Sequence, residues 1–163
     1  MSQQGPFRVA FVPGVTPGKW LGIWKERMRS PVVAIPVQDD DQLAVLQEER
    51  AEMCFLRLPV ERDGLHVISL YREAPVVAVP PEHLLTALDE VTMTDLADLA
   101  DPGVVVVPMS LARLHARKDL TTLPVVDAPE YQVGLAWRTD LEDPRTETFV
   151  GIVRGRTVRS SRG

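Results

Sequence analysis

The chain has 163 residues, 45% of them hydrophobic and 25% charged, with 18 Lys+Arg against 23 Asp+Glu for a net charge of −5. This suits a soluble globular protein of one compact domain or two small lobes, and the acidic balance argues against a broad nucleic-acid footprint, which needs a positive face. No apolar run reaches bilayer-spanning length, the first six residues lack the basic and apolar regions of a secretory leader, and the single cysteine, Cys54, excludes an internal disulfide or a multi-cysteine metal site. A cytoplasmic location is expected.

Residues 7–12 have the alternation of a buried strand, and Pro13-Gly14 ends it. Thr16 is placed to cap a helix over 18–29, with Pro17 at its first position and Trp20, Ile23, Trp24 and Met28 along one stripe. A strand end that meets a helix N-terminus presents unpaired N–H groups and a positive dipole end, which together suit an anion. A second strand is expected over 32–37. Asp39 to Asp41 then open a helix with Leu43, Val45 and Leu46 as its apolar positions, and a third strand over 52–58 ends at Pro59. Acidic residues are favourable at a helix start, so this run needs no metal.

The order β-α-β-α-β with short connections predicts a mostly parallel sheet. Strands are then expected over 65–71 and 75–80, and short helices over 82–88 and 94–99, the latter with a Thr94-Asp95 cap. The apolar run 104–107 reads as a fully buried strand. A helix over 109–117 with Leu111 and Leu114 inward follows, then strands over 122–126 and 131–137 and a closing helix over 146–153. From Arg154 to Gly163 there are four arginines and no acid, so this stretch carries +4 and the remainder −9. A frayed basic terminus is the expectation, with a contact for an acidic partner or nucleic acid as the alternative.

Several segments in order resemble the effector-binding (substrate-binding) domain of LysR-type transcriptional regulators. They are Phe7-Arg-Val-Ala-Phe-Val-Pro13, Met53-Cys-Phe-Leu-Arg-Leu-Pro59 with Asp63-Gly-Leu65, Leu70-Tyr-Arg-Glu-Ala-Pro-Val-Val-Ala-Val-Pro80, and Gly103-Val-Val-Val-Val-Pro-Met-Ser-Leu-Ala-Arg113. The stretches from Arg117 to Trp137 and Phe149 to Arg154 resemble an actinobacterial group of stand-alone proteins of this kind. The resemblance implies an α/β, type 2 periplasmic-binding-protein-like fold of two lobes: lobe I over 7–74 and 141–154, lobe II over 75–140, and a basic flexible tail over 155–163. The chain departs from the regulators in starting at the effector domain, so no direct DNA binding is expected. Only Asp89 to Pro102 fill the interval where the family has another strand and helix, so lobe II is expected to be reduced.

The resemblance implies a non-enzymatic binding domain for a small, anionic metabolite, with ligand biasing lobe closure and a partner protein reading the change. Thr16 matches the Ser or Thr that contacts effector at the start of the first helix; the alternative is a plain N-cap. Val15 and Lys19 adjoin it. Arg57 lies among apolar neighbours near the end of the third strand and needs a partner, either Asp63 or a ligand carboxylate. Ser110 is a further anion contact or a cap in the other lobe. Regulators of this type associate side by side through the first helix and second strand, so a homodimer is expected, and the alternative function is a homodimeric interaction module with a vestigial cleft. No nucleophile, base and orienter come together, no cofactor motif is present, and His66, His83 and His115 lack metal-ligand spacing.

Overall fold

The computed structural model describes residues 5–99, 104–114 and 119–155. His115 and the arginines after Gly155 lie outside them. The chain divides into two compact units, Met1–Leu70 with Val133–Gly163, and Tyr71–Gln132.

The first unit is built on a five-stranded sheet. Its elements are β1 (Phe7–Phe11), α1 (Gly18–Arg27), β2 (Val32–Pro36), α2 (Ala44–Gln47), β3 (Met53–Leu58), β4 (Leu65–Glu73), β8 (Tyr131–Arg138) and α5 (Arg145–Val153). Strand order is β2-β1-β3-β8-β4. Strand β1 runs parallel to β2, with Phe7 opposite Val32, and parallel to β3, with Val9 opposite Met53. The apolar residues that alternate in β1 and run unbroken through β3 supply the core, where Phe7, Val9, Ala10, Met53, Cys54, Phe55 and Leu56 are fully buried. Helix α1 lays its aromatic stripe on this sheet: Trp24 stacks on Phe7 at 5.1 Å and Trp20 on Phe55 at 5.0 Å. Phe149 of α5 closes the cluster, 5.9 Å from Phe7 and Phe55 and 6.0 Å from Trp24.

One buried cation organises the end of this core where β1 begins. Arg145, 8% exposed, donates through Nε and Nη2 to Asp143, and through Nη1 to the Gly5 carbonyl and the Ser30 hydroxyl, both at 2.9 Å. Its guanidinium also lies over the Phe7 ring, 5.1 Å from the centroid. A buried charge is tolerated only with such full pairing.

The expected lobe boundaries differ from these units in two places: residues 71–74, expected in the first lobe, fall in the second unit, and residues 133–140, expected in the second, fall in the first. Residues 131–138 were expected in the second lobe, 75–140, yet β8 lies between β3 and β4 in the first sheet. Gly134 shows why that position must be small: a Cβ there would stand 2.8 Å from the Ile68 carbonyl oxygen and 3.2 Å from Leu58 Cδ1. Backbone cannot yield as a flexible side chain does, so Gly134→Ala is expected to destabilise by about 1–3 kcal/mol. Urea denaturation checks this; an unchanged midpoint would contradict the close approach.

The second unit contains β5 (Pro75–Val79), α3 (Met93–Leu99), β6 (Val107–Pro108), α4 (Met109–Leu114) and β7 (Thr121–Pro124). Its sheet runs β6-β5-β7 and is antiparallel in both pairs, so the parallel arrangement belongs to the first unit. Val77, Val79, Leu85, Val91, Leu123 and Val125 form its buried core. Among the described residues, the interval after Leu88 holds α3 and a bridge of Val91 to Val125. Helix α3 is capped two residues earlier than expected, by a reciprocal pair: Thr92 Oγ1 accepts from the Asp95 N–H at 3.1 Å and Asp95 Oδ2 accepts from the Thr92 N–H at 2.9 Å. The run 104–107 is not a fully buried strand, since only its last residue joins β6 and Val105 is 62% exposed. Leu114, expected inward, is 57% exposed.

Candidate functional site

The corner between β1 and α1 is assembled from loops that follow three parallel strands. Val12 continues from β1 and donates its N–H to the Phe55 carbonyl of β3 at 3.1 Å, while Val37, just past β2, donates to Phe11 O at 3.0 Å. From β3, Arg57 reaches across with Nη1 2.8 Å from the Pro13 carbonyl and 3.5 Å from Asp39 Oδ1. Gln42 brackets the same residue: its Oε1 accepts the Arg57 N–H and its Nε2 donates to the Arg57 carbonyl, both at 3.0 Å. Strand ends that would otherwise be separate loops are thus tied together at the carboxyl side of the sheet, where open α/β proteins hold ligands.

Four of the five residues singled out from sequence meet here. Val15 is buried and its N–H already donates to Val12 O at 3.2 Å, so it shapes the corner without offering a donor. Thr16 is exposed and is not the N-cap: Pro17 occupies that position, and no side chain caps α1. The shift by one residue follows from Pro17, whose carbonyl accepts both the Trp20 and Leu21 N–H groups at 3.0 Å. Gly18 and Lys19 then supply the first two helical N–H groups, which have no carbonyl one turn earlier to bond, and Lys19 is exposed beside them. Arg57, with a side chain 10% exposed, pairs with Asp39 and not with Asp63 as expected. Asp39, whose charge is favourable at a helix start, opens a short 3₁₀ turn, Asp39–Asp41, ahead of α2. Gln42 was not singled out, because nothing local in sequence links it to a strand fifteen residues on. Ser110, the fifth residue, belongs to the second unit as the second residue of α4.

Electrostatically the corner is a helix N-terminus with one exposed ammonium, while the Arg57 charge is shared with Asp39 and the Pro13 carbonyl. Helix N-termini and ammonium groups in general favour nearby negative charge. The thiol of Cys54 is fully buried in β3, and burial pushes it up to about 12, with Asp41 adding repulsion. Such a thiol is neither nucleophile nor oxidant sensor at neutral pH. Among the described residues no group of three His, Cys, Asp or Glu is gathered as a metal site, and no helix is long and apolar enough to cross a membrane.

A five-stranded sheet with parallel β1, β2 and β3, followed by a second α/β unit and completed by a returning strand, defines an effector-domain fold of the type 2 periplasmic-binding-protein class. A family model described as the LysR substrate binding domain matches residues 2–100, and the chain belongs to that family. Domains of this family are regulatory ligand-binding modules and not catalysts.

Solved structures agree on the fold. The BenM effector binding domain with its effector benzoate matches at TM-score 0.74 and 16% identity, over 94% of this chain and 92% of that one. Full-length BenM carrying E226K matches at 0.77 and 16%, covering 94% and 68%. The reduced OxyR regulatory domain from Pseudomonas aeruginosa matches at 0.67 and 17%, covering 92% and 95%. A curated relative, the probable hydrogen peroxide-inducible genes activator of Mycobacterium avium, is 36% identical over 88 residues, 54% of this chain. The matched stretch spans only 28% of that relative's length.

Proposed function

We propose that this chain is a non-catalytic receptor for a small anionic metabolite, bound at the β1–α1 corner of the first unit. The observation that carries the reading is the α1 start: Gly18 and Lys19 present the first helical N–H groups, and Thr16 and Lys19 stand exposed beside them. In this reading the anion accepts from these amides and the Thr16 hydroxyl, with Lys19 adding charge. Arg57 holds the Pro13 carbonyl and so keeps the loop in shape. Ser110 is the corresponding candidate within the second unit, and Ser110→Ala tests it separately. Peroxide sensing through a thiol finds no support, because the only cysteine is buried with a raised pKa.

Thermal unfolding in the presence of small carboxylates, phosphate and sulfate tests the proposal. An anion at about 100 times its Kd adds about 2.7 kcal/mol to the folded state and raises the melting temperature by several degrees. Lys19→Glu is expected to weaken the response roughly tenfold, an effect of about 1.4 kcal/mol. No shift with any of these anions sinks the receptor reading.

A second reading, a homodimeric interaction module, has its own support. Strand β2 is an edge of the sheet, and its Val33 is 41% exposed. An apolar edge invites pairing with another chain. A tight dimer by light scattering, together with no anion response, favours this second reading.

A further inference from the structure

The first unit carries a second recess, at the opposite end of its sheet from the β1–α1 corner. Arg8 is the second residue of β1, Glu52 immediately precedes β3, Leu141, Glu142 and Asp143 lie just ahead of α5, and Arg145 is its first residue. Together they line a cavity of about 470 Å³, a size that suits small-molecule ligands. None of these residues belongs to the anion corner.

Most of the charge in this cavity is already spent. Asp143 and Arg145 satisfy each other, with Arg145 Nη2 2.8 Å from Asp143 Oδ2 and the Arg145 N–H 3.0 Å from Asp143 Oδ1. Glu52 accepts from the Arg8 N–H at 2.8 Å and from Nε and Nη2 of the same side chain. Two groups are left over. Arg8 directs only Nε and Nη2 to Glu52, so Nη1 keeps its donors, and the Glu142 carboxylate has no hydrogen-bond or ion-pair partner among the described residues. The lining therefore carries three acids against two arginines, an excess of one negative charge.

We propose that this cavity binds a free α-amino acid, its ammonium on Glu142 and its carboxylate on Nη1 of Arg8. One anion and one donor edge left over in a single recess match a zwitterion, whereas a simple anion meets the excess negative charge unfavourably. Leu141 offers the side chain an apolar contact. The same charge excess selects apolar or basic amino acids over aspartate and glutamate.

Calorimetric titration and thermal unfolding with each of the twenty L-amino acids test this, with n-propylamine and propionate as probes of each half. At about 10 mM, at least one apolar or basic amino acid is expected to raise the melting temperature by about 2 °C or more, and neither half-probe to match it. Glu142 is exposed, so Glu142→Gln is expected to keep the fold and to abolish the response. Arg8→Gln should weaken it at least fivefold in calorimetry. No response to any amino acid, or one that survives Glu142→Gln, overturns the proposal. A response lost in Lys19→Glu but kept in Glu142→Gln moves the ligand to the α1 corner and also overturns it.

Discussion

Arg145→Ala is expected to remove about 3–5 kcal/mol of stability, the cost of leaving one member of a buried ion pair alone. The loss falls on several segments at once. Asp143, whose side chain is 6% exposed, would keep its charge without its partner. The Gly5 carbonyl and the Ser30 hydroxyl would lose their 2.9 Å contacts, and the Phe7 ring its cation. A domain holds only about 5–15 kcal/mol in total, so the variant should unfold at far lower urea. Replacing both partners, Arg145→Met with Asp143→Leu, should recover most of the loss, since a paired buried charge and a well-packed apolar pair are often nearly equivalent. A loss under about 1 kcal/mol for Arg145→Ala would show that the network holds little together.

The same pair sets an acid limb. Burial alone raises the Asp143 carboxyl, but the Arg145 guanidinium and backbone N–H more than offset this and hold it below the usual carboxylate range. A group depressed in the folded state contributes stability that is fully present above its unfolded pKa, about 3.9, and is lost as pH falls through the folded value. Stability should therefore fall below about pH 4, and Asp143→Asn should flatten that part of the profile.

The alternation of β1, the unbroken apolar run of β3 and the aromatic stripe of α1 were legible in sequence because each is a local pattern matched to one buried face. What escaped is what depends on partners far along the chain. Residues 131–138 follow the second unit's strands in sequence, yet pair between β3 and β4; the signal available was the central run Val133-Gly134-Leu135-Ala136, buried on both faces as only an inner strand is. The run Val104 to Val107 misled in the opposite sense, for its valines have strand propensity but β6 is a short edge of a three-stranded sheet that leaves Val105 bare. At the candidate site, capping propensity favours Thr16 with Pro17 at the first helical position, yet Pro17 takes the cap. Arg57 was legible as a cation needing a partner, with Asp63 or a ligand carboxylate expected; that Asp39 answers it depends on which loop the sheet order brings near. Asp143-Pro144, an acid-proline pair just ahead of α5, is a turn signal available in the sequence.

Trp24→Ala carries the other large expected effect, again about 3–5 kcal/mol, from a fully buried aromatic that leaves a cavity too rigid to collapse. Its ring is stacked within 8° of parallel on Phe7, and its Nε1 donates to the Ser30 carbonyl at 2.6 Å. Trp24→Phe keeps most of the buried area and should cost far less, about the net value of that hydrogen bond, roughly 1 kcal/mol. The consequence reaches the proposed function, because Trp24 anchors the helix whose first turn forms the proposed anion site; Trp24→Ala should weaken any anion response while Trp24→Phe preserves it. Trp24 and Arg145 also grip the same two residues: both contact Phe7, and they bond the carbonyl and the hydroxyl of Ser30. Their losses should therefore fail to add, with a coupling of about 0.5–3 kcal/mol in a double-mutant cycle. Strict additivity there would mean that Phe7 and Ser30 hold their positions independently of both neighbours, and that the core behind α1 is not the single unit these contacts make it.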